Sequence, residues 1–95
     1  MVNDIKLSIG LTIYKGDWEG SQWTITGYPK KDMSIKDFES AYDFEDFVKK
    51  HINCNGIEFD SEFCQFFAYT KTKASAIAFG NRIEKYFDKV RKSLS

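Results

Sequence analysis

From Ile5 to Tyr14 apolar and polar residues alternate without a break. Ile5, Leu7, Ile9, Leu11 and Ile13 fall on one side, and Lys6, Ser8, Gly10, Thr12 and Tyr14 on the other. A period of two sustained this long predicts a half-buried strand. The KGDWEGS that follows supplies Gly16, Asp17 and Gly20 for a reversal. QWTITGY then alternates again, with Trp23 and Ile25 on one face and Gln22, Thr24 and Thr26 on the other, and Pro29 closes it. The two runs predict a β-hairpin with a long loop.

Residues 30–39 fit neither period and read as a connection. From Ser40 the period changes to that of a helix. Ser40 and Asp43 form a capping box in its acidic variant, and Ala41, Phe44, Phe47, Val48 and His51 recur at helical spacing. Acids near the start and Lys49 and Lys50 near the end match the helix macrodipole, and Asn53 to Gly56 stop the helix. Gly56–Phe59 and Phe63–Thr70 read as two strands around an Asp60-Ser61-Glu62 turn. Thr72 then caps a last helix with the stripe Ala76, Phe79, Gly80, Ile83, Phe87 and Val90. The order is ββαββα in one domain, residues 1–95. It predicts an α+β fold: a four-stranded, mainly antiparallel sheet with two helices packed on one face.

Composition shifts attention to the rings. Nine Phe, five Tyr and two Trp stand beside only two Met in 95 residues. Each buried ring removes roughly 150–250 Å² from water, so a small chain can close a core with few of them. The densest stretch is FDSEFCQFFAYTK, residues 59–71. Strand parity divides it, with Cys64, Phe66, Ala68 and Thr70 on one side and Phe63, Gln65, Phe67 and Tyr69 on the other. The small residues favour close helix approach, which assigns Cys64, Phe66 and Ala68 to the core and leaves Phe63, Phe67 and Tyr69 on the helix-free face. Thr12, Tyr14, Thr24, Thr26 and Tyr28 join them there. Such a face reaches roughly 300–600 Å², a size that points to a partner. Trp18, flanked by Gly16 and Gly20 at a loop tip, is expected either to fold back as a lid or to serve as an exposed anchor.

Charge is balanced overall but segregated. Nine acids against three lysines in residues 32–62 give −6, and seven bases against two acids in residues 63–95 give +5. No overall field draws the chain to nucleic acid or membrane. Asp43, Glu45 and Asp46 offer an acidic patch to a basic protein partner. Arg82, Lys85, Lys89 and Lys92 follow i, i+3, i+7, i+10, a basic stripe able to touch phosphates.

Enzymatic motifs are missing. The six glycines form neither a GxGxxG nor a P-loop pattern. His51, Cys54 and Cys64 (H-x2-C-x9-C) lack the four ligands in close pairs that structural zinc takes, and Cys64 in mid-strand reads as an inert buried thiol. No metal or other cofactor is expected. Two cysteines make no disulfide framework, and residues 1–17 lack the features of a signal peptide. No run approaches membrane-spanning length, so the expected setting is the cytoplasm. These readings converge on a non-catalytic protein–protein interaction module, a homodimer joined through the open sheet face, with Tyr14, Trp18, Tyr28, Phe63, Phe67 and Tyr69 as contacts. The alternative is a weak single-stranded nucleic-acid binder using the same rings and the basic stripe of the last helix.

Overall fold

In the computed structural model, which describes residues 4–7, 10–16, 22–28 and 38–94, the first alternating run is not one strand. It folds back on itself. β1 (Ile5–Lys6) pairs antiparallel with β2 (Thr12–Lys15), Ile5 opposite Ile13 and Lys6 opposite Thr12. The Leu7 N–H donates to the Leu11 carbonyl at 2.8 Å, and the Gly10 N–H donates to the Leu7 carbonyl at 3.1 Å. Gly10 takes φ = 94°, a conformation that side chains with a Cβ resist. The alternation conceals this turn because the register pairs odd residues with odd. Both arms of the hairpin therefore keep their apolar residues on the same face, as a single strand would.

The sheet consequently has five strands where four are expected, and every pairing is antiparallel. β3 (Trp23–Gly27) lies beside β2, and β5 (Phe66–Thr70) inserts between β3 and β4 (Glu58–Phe59), giving the order β1-β2-β3-β5-β4. The second hairpin reverses later than its acid-serine signal predicts. The Asp60 N–H donates to the Phe67 carbonyl at 3.1 Å, and the Glu62 N–H donates to the Gln65 carbonyl at 2.9 Å. Ladder-like bonding thus continues through residues 60–62 and the turn falls at Phe63 and Cys64. Ser61 serves the interior of the hairpin, its Oγ accepting the Phe67 N–H at 3.2 Å. Cys64 is accordingly exposed and outside the strand, a correction to the buried mid-strand thiol expected from parity.

Among the described residues, two helices form as their caps predict. α1 (Ala41–His51) begins at Ser40, whose Oγ accepts the Asp43 N–H at 3.3 Å. The Asp43 carboxylate accepts the Glu39 N–H at 3.4 Å, one residue before the partner that a strict capping box would give it. α2 (Lys73–Leu94) begins at Thr72, whose Oγ1 accepts the Ser75 N–H at 3.1 Å. Both pack on the face that carries Ile13, Ile25, Phe66 and Ala68, all fully buried. Phe44 of α1 meets Phe66 edge-on at 4.8 Å, and Phe79 of α2 lies 6.1 Å from Phe59. Gly80 lets α2 approach the first hairpin closely: a Cβ there would stand 2.8 Å from Leu7 Cδ1 and 3.2 Å from Ile13 Cδ1.

Twenty-two residues of helix extend about 33 Å, well beyond a five-strand sheet roughly 20 Å wide. Farther along α2, the buried Phe87 accordingly meets rings of α1 and Phe38. It lies 5.7 Å from both Phe44 and Phe47 and 6.5 Å from Phe38. Phe38, expected only as part of a connection, is fully buried and contacts Phe44 edge-on at 5.1 Å. The rest of that connection, residues 30–37, lies outside the described residues.

Candidate interaction surface

The helix-free face of the sheet is built by alternate residues of the same strands that make the core. Register aligns Tyr14, Thr24, Tyr69 and Glu58 in one row across β2, β3, β5 and β4. Lys6, Thr12, Thr26 and Phe67 make the next row. Phe67 and Tyr69, two residues apart on β5, stack at 6.4 Å with their planes within 7° of parallel. Tyr14, Phe67 and Tyr69 are half-buried, while Thr24, between the two tyrosines, is buried.

A short polar network holds this face in place. Thr26 Oγ1 donates to the Phe66 carbonyl and accepts from Gln65 Nε2, each at 2.8 Å. A hydroxyl used in both directions fixes its own rotamer and that of the glutamine, so the rings beside it stand on a rigid floor. Burial pushes the Tyr69 hydroxyl pKa up, and Asp60, Tyr14 and Glu62 add to the shift. Carboxylates therefore border the rings on the β4 side.

Of the six residues expected at a partner surface, Tyr14, Phe67 and Tyr69 share this face. Tyr28 follows β3 at the same parity and is 44 % exposed. Phe63 does not lie on the sheet. It occupies the hairpin turn, 63 % exposed, and its carbonyl accepts the Ala41 N–H at 2.8 Å at the start of α1. Tyr42, the next residue of α1, is 51 % exposed and had no signal in the sequence beyond its place on the polar side of the helix. Trp18 lies outside the described residues.

The acidic patch is smaller than its sequence implies. Glu45 forms an ion pair with Lys49 at 2.9 Å, which leaves Asp43 and Asp46 exposed at the start of α1. Arg82, Lys85, Lys89 and Lys92 all lie on α2, in the helical layer, so the thickness of the sheet separates them from Phe67 and Tyr69. Arg82, Lys85 and Lys89 instead line a groove with His51, Ile52, Asn53 and Tyr86 at the end of α1.

The thiols and the histidine do not form a cluster. Among the described residues, no three His, Cys, Asp or Glu side chains come together as metal ligands would. Cys54 is half-buried, its Sγ donating to the Ile52 carbonyl at 3.2 Å, and burial pushes its thiol pKa up, against formation of a nucleophilic thiolate. His51 stacks on Tyr86 at 5.1 Å. Among the described residues, no helix is long and apolar enough to cross a membrane. Compared with known proteins, the chain matches no protein family, no curated protein and no solved structure.

Proposed function

We propose that this protein is a non-catalytic interaction module that pairs with a second copy of itself through the open face of its sheet. The observation that carries the reading is the set of half-buried rings Tyr14, Phe67 and Tyr69 on the side of the sheet opposite α1 and α2. Rings at this degree of exposure retain apolar area that a facing sheet removes from water. A two-fold arrangement lets the same rings meet their own copies and needs no second protein.

Size sets the strength. Strand residues about 4.8 Å apart across the sheet and about 3.3 Å apart along it, over strands of two to five residues, give a face of roughly 300 Å². That is less than half of the ~800 Å² per partner found in standard interfaces, so the dimer should be weak, micromolar or weaker. Glu58, opposite Tyr69, together with Asp60 and Glu62 keeps the face from being cationic, which favours a protein surface over a phosphate backbone there.

Sedimentation velocity across a concentration series tests this. The expected result is a shift from monomer to dimer with rising concentration, abolished by Phe67→Asp while the thermal melt stays cooperative. A wild-type chain that remains monomeric at millimolar concentration would sink the reading.

A further inference from the structure

The geometry points to a second site on the opposite side of the molecule: the groove between the end of α1 and the middle of α2 binds an oligophosphate, a chain of two or three phosphoryl groups free or esterified. The groove has a volume of about 300 Å³ and is lined by His51, Ile52, Asn53, Arg82, Lys85, Tyr86 and Lys89. That volume lies at the lower limit of small-ligand pockets and is adequate for such an anion.

Four features of the groove support this assignment. The cations line one side: Arg82, Lys85 and Lys89 recur along one face of α2 over about 10 Å. A single phosphate would meet only one neighbouring pair, whereas a chain of phosphoryl groups spans the row. No carboxylate is among the residues that line the groove. Arg82 is already positioned, its Nη2 donating to the Asn53 carbonyl at 3.1 Å and its guanidinium lying 5.8 Å from the Phe79 ring. Lys85 and Lys89 are exposed, as befits point charges that close on a ligand.

The opposing effect is the negative end of α1, whose carbonyls would repel an anion. At that end the Val48 carbonyl accepts the Ile52 N–H at 2.9 Å, and just beyond the helix the Asn53 carbonyl accepts from Arg82. Ile52 and the stacked pair His51 and Tyr86 add apolar surface suited to an ester group attached to the phosphates.

Titration with inorganic tripolyphosphate, followed by backbone amide shifts at fixed ionic strength, tests the site. The expected shifts centre on residues 51–53 and 82–89, and Lys85→Gln with Lys89→Gln weakens binding at least tenfold without moving the melting temperature. Phe67→Asp, which breaks the proposed dimer face, leaves tripolyphosphate binding unchanged, so the two readings fail separately. Any of three results overturns the proposal: shifts spread equally over remote lysines such as Lys6 and Lys71, equal binding by the double variant, or binding of a single-stranded oligonucleotide with none of tripolyphosphate.

Discussion

The two faces of one sheet meet different fates although the same strands build both. On the helical side Ile13, Ile25, Phe66 and Ala68 are sealed completely, and the rings above them meet edge-on, Phe44 with Phe66 at 87° and with Phe38 at 89°. On the other side Phe67 and Tyr69 lie almost parallel, with part of their area in reach of water. Edge-to-face contacts interlock in three dimensions and define a packed interior. A parallel pair on an open sheet satisfies only itself. Monomer stability therefore resides on one face, and the proposed association would use the other.

Substitution of matched rings gives the sharpest test of that division. Phe44→Ala should cost about 3–5 kcal/mol in a urea melt, because it empties a site walled by Phe38, Phe66 and Phe87. Phe67→Ala should cost the monomer less than about 1 kcal/mol while weakening the proposed dimer. Equal losses from both would remove the distinction between the faces.

The close approach of α2 ranks next. Gly80→Val places methyl groups against Leu7 and Ile13 and should destabilise by about 1–3 kcal/mol, with no effect on association. Gly10→Ala should follow, at about 1–2 kcal/mol, since φ = 94° strains any residue with a Cβ. Its signature is local: faster amide exchange at Leu7 and Leu11 with β3 and β5 unaffected. If exchange rises across the whole sheet instead, the first hairpin is integral to the core and not an added edge.

The smallest effect is electrostatic. The Tyr69 pKa is raised on folding, first by burial and then by Asp60, Tyr14 and Glu62. The unfolded chain then releases this proton at lower pH than the folded one. The contribution to stability is complete below about pH 10, the ordinary tyrosine value, and is lost as pH rises through the folded value. An ultraviolet phenolate titration should show a late-ionising component that is lost in Tyr69→Phe. Dimerisation would delay it further, which links this measurement to the face comparison.

Much of the helical side was legible in the sequence. Ser40 and Thr72 cap where their residue types predict; of the predicted stripes, Ala41, Phe44, Val48, Ala76, Phe79, Gly80, Ile83 and Phe87 are buried, Phe47 and Val90 are half-buried and His51 is exposed. Two turns were not legible. The reversal at Gly10 leaves the alternation unbroken, because both arms present the same parity. The reversal at Phe63 and Cys64 lacks the glycine, proline or aspartate that marks most turns, and Asp60-Ser61-Glu62 offered a stronger but false signal. The basic row on α2 was visible as spacing, yet nothing in the chain joined it to His51 and Asn53, which lie 29 or more residues away.

The sequence alone determined which residues are helical, which alternate, and which half of each strand is apolar, since these follow from local periods of 3.6 and 2 and from short-range caps. The small residues of β5 also assigned Phe66 and Ala68 to the covered side, and only the tertiary structure decided how that side is sealed. Both halves of β5 carry rings, and the choice fell to the side where Ala68 and Gly80 let helix and sheet draw close enough to exclude water. Phe67 and Tyr69 were left on the other side by the same packing that sealed Phe66.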